Sequence, residues 1–541
     1  FISMAQNRKT EIRKPDTNRW QLVLLIFLLA FSLRIWGISF GLPGVDHGDE
    51  TEVVNHAVRF GSGDFNPHRF QYGSLVQYIL FCFYALYFGI GYLLGLFSSI
   101  HQFAISFIND PSVFYLIARG LSALLGAATV YITYLIGLRV AGVRVGLCGA
   151  LFLAVSYQHV VHSHYATVDT ALTFFFALAT YQSLMLLFDD RLSRYGKAGV
   201  GIGLTLATKL NGIFVLVPFA TAHFLRGEKV DFFRKLFSQR FWLGLGMVFV
   251  GHFVASPFFY LDLSSALSEV AFLRSMHTAT ELTMWPYLQT LAKDYWGIPL
   301  GMLCVAGLFR YLITDDKRIG VISITTLAVF CFVSLHRYVE AKYILYALPL
   351  CAVLGSRLLM EVCQRLKTQY LVLIVLALMI HPLYLIVNWN YERSQKSITL
   401  ESKEWIEQNI PVNAKVLLDN VGNGGPKLYN SPDNLRRQFQ RAREHKLLKA
   451  EYLALQLEIS PDVFYDITQV DSSGGFREDD YRRYRLWQDT EEIGHPEAYY
   501  REKGYQYIII TNRYFSRIGD EFTLLKEFIR GSRGIRIYRV S

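Results

Sequence analysis

The sequence has 541 residues, of which 52% are apolar and only 18% are charged. Soluble globular domains carry about a quarter charged residues, so this composition excludes an ordinary soluble protein and indicates a chain that lives in a membrane. The net charge of +10 does not indicate a nucleic-acid partner, because Lys and Arg are expected to concentrate in the cytoplasmic loops of membrane proteins. The six cysteines lie in or beside apolar runs and predict no disulfide framework or zinc site.

A helix needs roughly 20 apolar residues to cross about 30 Å of hydrocarbon, and nine runs meet this condition. They lie at 20–40, 113–138, 146–165, 168–188, 240–260, 290–311, 319–336, 342–360 and 369–389. The first run follows a basic stretch and has no small-residue cleavage site, so it predicts a retained span rather than a signal peptide.

Residues 198–226 are apolar except for Lys209, and both flanks of this segment are basic. Basic flanks belong on the cytoplasmic side, so a single crossing helix would place one of them outside. We therefore predict a hairpin of two short helices, with residues 209–212 at its tip in the outer half of the bilayer.

Residues 74–112 are also apolar, but they carry no Lys or Arg that would fix any part of them to the cytoplasm. The chain must still return to the side that it left, because the next span runs into the basic turn at 139–144. We interpret the segment as membrane-dipping or interfacial helices within a first outer loop at 41–112. An extra pair of spans is the alternative.

These assignments predict a polytopic α-helical membrane protein with about eleven transmembrane helices. Its N-terminal tail (residues 1–19) lies in the cytoplasm, the transmembrane domain covers 20–391, and the C-terminus lies outside. Five turns then fall inside, and each is basic or mixed in charge, as expected for cytoplasmic loops. These turns are 139–144, 189–197, 226–240, 310–318 and 361–368.

After Tyr391 the long apolar runs stop, which predicts an extracytoplasmic soluble α/β domain at 392–541. Apolar spacing predicts helices at TLESKEWIEQN and DEFTLLKEFIR, and short β-branched runs predict strands at AKVLLDN, YQYIIIT and GIRIYRV. Residues 421–495 are interpreted as loop.

With this topology, polar residues collect on the outer face of the membrane. Charged groups cost about 2.5–3.5 kcal/mol each at the centre of a span, so a shared outward-facing polar cavity would explain them. The candidate residues are Asp46, His47, Asp49 and Glu50 in the first loop, His159, His162, His164, Tyr165 and Asp169 in the next outer turn, Lys209 at the hairpin tip, and His277, Arg337, Lys342 and Tyr343 further along.

Several stretches, taken in order, resemble the GT-C superfamily, specifically glycosyltransferase family 39 and its relatives, the protein O-mannosyltransferases and the lipid A aminoarabinose transferase. They are HGDE at 47–50, LIARGLSALLGAATVYITYLIGLRV at 116–140, HSHYATVDTALTFFFALA at 162–179, GIGLTLATKLNGIFVLVP at 201–218, SPFFYLD at 256–262 and KYILYALPL at 342–350. The resemblance implies a GT-C fold, a polyprenyl-phosphate-linked sugar donor and inverting transfer to an extracytoplasmic acceptor hydroxyl. The expected acceptor is a lipid, a glycan or a protein. The protein is expected to lie in the inner or plasma membrane of a bacterium, in contact with membrane lipids.

A hydroxyl is a weak nucleophile, so it needs a carboxylate within hydrogen-bond reach to take its proton. Asp49 matches the acidic base position of the family. Glu50, beside it, would face another way and orient the acceptor or a cation. Asp169 matches a second acidic residue that lines the same cavity.

The leaving phosphate gains negative charge and calls for fixed positive charge, for which Lys209, Arg337 and Lys342 are the candidates. In the family the last motif usually reads Arg-Tyr-Leu-Leu-Pro. Here Lys342 begins it, followed by Tyr343, and lysine lacks the bidentate fork of arginine. His164, Tyr165 and His277 complete the predicted substrate-binding set.

Each candidate has an alternative interpretation. The acid pair and Asp169 could be helix caps, and the cations could be interfacial anchors. No cofactor is predicted with certainty, but a divalent cation could be held by His162, His164 and Asp169, or by Asp46 with Asp49. A membrane transporter or flippase of a lipid-linked or anionic substrate is the alternative function, because intramembrane ionisable residues also mark ion pathways. A non-catalytic scaffold is a third.

Overall fold

A computed structural model of the chain describes residues 17–227, 232–277, 284–336, 339–420, 424–459, 461–471 and 484–541. The predicted site residue Arg337 lies outside the described residues, and so does the side chain of His277. The chain forms a helical N-terminal part and a C-terminal part built around a sheet.

The N-terminal part is helical because backbone groups in hydrocarbon must form their hydrogen bonds within the segment. Its helices are α1 (Thr17–Ile35), α2 (Gly48–Arg59), α3 (Leu75–Leu93), α4 (Ile100–Asn109), α5 (Ser112–Ala141), α6 (Val143–Ala154), α7 (Tyr157–Ser163), α8 (Val168–Met185), α9 (Leu192–Thr208), α10 (Leu216–Leu225), α11 (Phe232–Leu236), α12 (Gln239–Ala255), α13 (Phe258–Leu261), α14 (Leu263–His277), α15 (Met284–Thr290), α16 (Ile298–Arg310), α17 (Lys317–Val333), α18 (Leu348–Val362) and α19 (Thr368–Ser394).

Within the described residues, five helices are long and apolar enough to cross a membrane, or six if α6 and α7 count as one bent span. This finding agrees with an integral membrane protein. Several other predicted spans form shorter helices, such as α9 and α12 with 17 residues each, which reach roughly 26 Å. The count of about eleven spans therefore stays a prediction.

The helical backbone is interrupted at 209–212, where the sequence predicts the tip of a hairpin, and the position of this tip in the bilayer stays a prediction. Helix α9 ends at Thr208, and Lys209 is extended with φ −161° and ψ 132°. A 3₁₀ turn, Leu210–Val215, then leads into α10. The extended residue leaves one side chain at a point where the helical backbone is interrupted, which is how membrane proteins place a polar group at depth.

Two other predicted spans are also interrupted, which the sequence did not predict. The run 146–165 is bent by 61° between α6 and α7, and 290–311 contains a π-helical turn, Leu291–Tyr295, before α16. At the first of these breaks, the buried Arg34 donates from its guanidinium nitrogens to the carbonyl oxygens of Leu153 and Ala154 at 3.3 and 3.2 Å. The side chain replaces hydrogen bonds that the helix loses at its end.

The C-terminal part is an α/β domain around a six-stranded sheet with strand order β3-β2-β1-β4-β6-β5. The first four strands in this order run parallel, whereas β6 pairs antiparallel with β4, and β5 pairs antiparallel with β6. The elements are α20 (Ile398–Asn409), β1 (Lys415–Leu418), α21 (Pro432–Glu444), α22 (Lys449–Leu457), β2 (Asp466–Val470), β3 (Thr490–Glu491), α23 (Glu497–Glu502), β4 (Tyr507–Thr511), β5 (Thr523–Arg530) and β6 (Arg533–Arg539). The predicted helix at 399–409 and the three predicted strands are confirmed.

Two predictions for this domain are wrong. The stretch DEFTLLKEFIR contains strand β5 rather than a helix, because a two-residue turn at Gly531 folds it back along β6. Its apolar pairs fit helical spacing, but the antiparallel partner decides the structure. Residues 421–495, interpreted as loop, contain α21, α22, β2 and β3.

Helix α22 packs the C-terminal domain against the segment 74–112. Tyr452 and Leu455 contact an apolar cluster formed mainly by the first loop and α5, and His101 in α4 lies 2.7 Å from a carboxylate oxygen of Glu458. With 19 residues, α3 fits the alternative of a span, whereas α4 with its 10 residues is too short to cross and fits an interfacial helix.

Candidate active site

Helix α2 carries the predicted acid pair in its first turn. The helix begins at Gly48 after an extended His47, so Asp49 and Glu50 are its first acidic residues. Carboxylates are stabilised at this end of a helix by the unpaired N–H groups and the helix dipole. Successive helical residues point in directions about 100° apart, and the two carboxylates accordingly have different surroundings.

Glu50 is fully buried in an ion pair with Arg119 of α5. The guanidinium donates to both carboxylate oxygens at 2.7 Å, and the backbone N–H of Ala166 donates to one of them at 2.8 Å. Arg119 also donates to the carbonyl oxygens of Ile38 and Phe40 at 2.8 Å. The expectation that Glu50 orients an acceptor or a cation does not fit this geometry, because its oxygens already hold α2 to its neighbours.

Asp49, in contrast, is partly exposed, and its carboxylate lies 3.2 Å from the Nζ atom of Lys342. Lys342 stands in a 3₁₀ turn, Ala341–Ala347, and its ammonium group lies 3.1 Å from the carboxylate of Glu340. The structure therefore brings the predicted base into contact with one of the predicted phosphate-binding cations, 293 residues further along the chain.

A second acid–base pair lies close by and is more deeply buried. Asp169, in the first turn of α8, accepts a hydrogen bond of 2.8 Å from Lys209 at the break after α9. The ammonium group of Lys209 also lies 5.4 Å from the ring centroid of Tyr72 and 5.9 Å from that of Tyr343. Electron-rich ring faces attract a cation, so these tyrosines help to hold it in place.

The two pairs belong to one site. Lys342 interacts electrostatically with Asp49, Asp169 and Tyr72, and Tyr72 in turn interacts with both carboxylates. Two carboxylates and two ammonium groups thus form one polar cluster, with tyrosine rings beside them, and the shared cavity stays a prediction. Such an arrangement supplies a proton acceptor and fixed positive charge within one small volume.

Of the remaining predicted residues, His164 does not reach this site. Its ring nitrogens lie 2.9 Å from the carbonyl oxygen of Val160 and 3.0 Å from that of Trp36, and its ring packs against Trp389. Both ring nitrogens of His164 are engaged by backbone, so these contacts do not support its substrate-binding role, which stays a prediction. Tyr165 borders the site, with its ring 4.2 Å from that of His47.

Four residues of the site were not predicted as site residues. Arg119 had a signal, because a lone arginine in an apolar run needs a partner, but the sequence does not say that the partner is Glu50. The sequence indicates His47 only as a polar residue of the outer face and His162 only as a possible cation ligand, and it gives no signal for Tyr72. Burial lowers the pKa of His47, although Asp49 and Glu50 act in the opposite direction, so its ring is neutral at the edge of the site.

The described residues contain no group of three or more His, Cys, Asp or Glu side chains that could hold a metal ion. Asp46, which was considered as a cation ligand with Asp49, is engaged elsewhere. Its carboxylate accepts from the hydroxyl of Thr399 at 2.9 Å and from Arg533 at 3.1 Å, both in the C-terminal domain. These contacts join the C-terminal domain to the first loop. The carboxylate of Asp46 is therefore engaged there rather than beside Asp49.

The whole chain shares its fold with solved membrane glycosyltransferases. The structure of ArnT from Cupriavidus metallidurans bound to undecaprenyl phosphate matches with a TM-score of 0.53 and 13% identity, over 97% of this chain and 98% of that chain. An Archaeoglobus fulgidus oligosaccharyltransferase in the apo form matches with a TM-score of 0.50 and 12% identity, over 93% of this chain and 71% of that chain. These similarities show that the chain shares the fold of these proteins.

The sequence points to the same group of proteins. Residues 113–260 match the family described as dolichyl-phosphate-mannose-protein mannosyltransferase. No curated protein matches the chain in sequence. Together, the family match over residues 113–260 and the shared fold support the resemblance to glycosyltransferases of the family 39 type.

Proposed function

We propose that this protein transfers a sugar from a polyprenyl-phosphate-linked donor to an acceptor hydroxyl, with Asp49 as the general base. The observation that carries the proposal is the pairing of Asp49 with Lys342 beside the Asp169–Lys209 pair. The similarity to an ArnT structure that holds undecaprenyl phosphate and the match to a family named for a dolichyl-phosphate-linked sugar support the class of donor.

The reaction is a single displacement. Asp49 takes the proton of the acceptor hydroxyl, and the hydroxyl oxygen forms a bond to the anomeric carbon of the sugar. The bond between that carbon and the phosphate oxygen breaks, and its electron pair leaves with polyprenyl phosphate. Because the acceptor attacks opposite the leaving group, one displacement inverts the anomeric carbon.

The two lysines stabilise the charge that develops on the departing phosphate. Lys342 stands next to the base, and Lys209 stands at the helix break, 5.4 and 5.9 Å from the ring centroids of two tyrosines. Fixed ammonium groups in a partly dry site stabilise a developing phosphate charge more strongly than water does, because they need no reorientation. Arg337, outside the described residues, stays a third candidate.

The proposed membrane arrangement places the active site and residues 392–541 outside the cytoplasm of a bacterial inner or plasma membrane. The basic or mixed turns predicted to lie inside support this orientation. In the structure, the C-terminal domain contacts the first loop through Asp46, so the acid pair and this domain lie on the same side. Residues 20–391 form the proposed catalytic domain.

The function is tested with purified protein in lipid nanodiscs and a series of polyprenyl-phosphate-linked sugars. We expect release of polyprenyl phosphate from at least one donor, measured by mass spectrometry. Comparing glycans and glycolipids from cells with and without the gene identifies the product. If no donor is consumed and the cells show no difference, the proposed function is wrong.

The Asp169–Lys209 pair yields a separate prediction about the cation. Lys209→Met leaves the buried carboxylate of Asp169 uncompensated, which is expected to cost about 3–5 kcal/mol of stability. The double variant Lys209→Met/Asp169→Asn removes both charges and is expected to regain most of the melting temperature while its kcat stays low. A double variant with normal kcat would show that Lys209 is only a partner for Asp169. Exposed Lys526→Met is the control for the loss of a lysine.

A further inference from the structure

A pocket of about 30 Å³ lies where the first outer loop meets the C-terminal domain. A volume of this size accommodates about two or three water molecules, and therefore one small polar group. The loop and the domain both line it, through Pro43, Gly44, Asn109, Thr399, Leu400, Lys403, Lys427 and Tyr429. None of these residues is used by the proposed reaction.

The pocket carries two lysines, and a third lies near them. Within the described residues, Lys403 forms one ion pair, a long one of 3.7 Å with Glu407 on its own helix, and its ammonium group lies 5.2 Å from the ring centroid of Tyr429. For Lys427 and Lys449, the described part of the chain offers no carboxylate within 4 Å. Within the described residues, Lys403 repels Lys427, and Lys427 repels Lys449. Asp110 attracts Lys427.

This clustering and burial lower the pKa values of two of the lysines. Burial and the neighbouring Lys403 lower the pKa of Lys427. Burial and Lys427 lower the pKa of Lys449 to about 8. Like charges held together in a partly buried place destabilise the fold unless an opposite charge joins them. Among the described residues, Asp110 acts on Lys427 from beyond ion-pair distance, so the pocket has room for an additional anion.

The pocket is connected to the catalytic loop by one hydrogen bond. Thr399, which lines the pocket, donates its hydroxyl to Asp46, and Asp46 is three residues from Asp49. Gly44 also lies beside the carboxylate of Asp46. A group bound in the pocket is therefore held against the same loop segment, 43–50, that carries the base.

We propose that this pocket binds an oxyanion, a phosphate or carboxylate group, carried by the acceptor. Lysine ammonium groups bind such groups as point charges, and Asn109 and Tyr429 supply polar edges. The role in acceptor recognition rests on the proposed function, whereas the binding of an anion does not. Transfer would then favour anionic glycan or lipid acceptors over neutral ones.

The anion site is tested by lysine acylation of the full chain in phosphatidylcholine nanodiscs, with inorganic pyrophosphate as the probe. Site-resolved mass spectrometry is expected to show slower acylation of Lys403 and Lys427 with pyrophosphate and no change at Lys526, which lies exposed on β5. Unchanged acylation at both pocket lysines would overturn the proposal. Protection by phosphatidylglycerol in the nanodisc, without pyrophosphate, would assign the pocket to a lipid headgroup and overturn its acceptor role.

The acceptor role is tested by Lys427→Gln against the control Lys526→Gln. We expect KM for an anionic acceptor to rise roughly tenfold in the first variant, as for loss of one charged hydrogen bond. Release of polyprenyl phosphate in the absence of acceptor should not change. An unaltered KM would refute acceptor binding. Absence of donor turnover in the wild type would instead refute the proposed function and leave the acylation result standing. The melting temperature should not fall, since the variant removes a repelled charge.

Discussion

The variant Asp49→Asn is expected to lose about 10²–10⁴-fold in kcat, the usual contribution of a positioned general base. Asparagine has nearly the shape of aspartate and still accepts a hydrogen bond from Lys342, so the turn that starts α2 should survive. What disappears is the group that takes the proton of the acceptor hydroxyl. Donor binding should be retained, because the substitution removes a negative charge near the phosphate.

The measurement separates these two effects. Sugar transfer by purified variant and wild type gives kcat, and equilibrium binding of the donor in nanodiscs gives its affinity. Asp64→Asn is the matched control: it makes the same chemical change in the same outer loop, at an exposed carboxylate paired with His68. Its kcat should equal that of the wild type. Normal transfer by Asp49→Asn would show that another group is the base.

The helix break at Lys209 could be predicted because its signal is local. A single lysine within an apolar run with basic flanks on both sides is visible in the sequence, and charge placement in membranes follows simple rules. The acids at Asp49 and Asp169 could be found in the same way, from their motifs at the ends of apolar runs. Of the five predicted charged site residues that the structure describes, four lie in two ion pairs with one another, and Glu50 pairs with Arg119 instead.

The partners in these pairs could not be predicted, because they depend on how distant helices pack. The sequence does not show that Glu50 pairs with Arg119, 69 residues away. Nor does it show that Asp46 accepts hydrogen bonds from the C-terminal domain. His164 illustrates the same limit, since its position among other histidines suggested a ligand. Strand β5 could not be predicted for a related reason. Its local apolar spacing fits a helix, and its pairing with β6 after the turn at Gly531 decides the structure.

The second large effect is expected at the Glu50–Arg119 pair. Glu50→Gln leaves the fully buried guanidinium of Arg119 without its counter-charge, which should cost about 3–5 kcal/mol of stability. The same side chains tie α2 to Ala166 and to the backbone at Ile38, so Asp49 should lose its fixed position as well. We expect a lower melting temperature in nanodiscs and a reduced kcat in the protein that remains folded.

A double variant distinguishes a role in stability from a role in positioning Asp49. Glu50→Leu/Arg119→Met removes both buried charges, and replacing a buried pair by apolar side chains often restores stability. The melting temperature should then recover while kcat stays low, because the contacts that orient the first turn of α2 are still missing. Recovery of both would mean that the pair only balances charge. Arg310→Met, which breaks an exposed pair with Glu361, is the control and should cost less than about 1 kcal/mol.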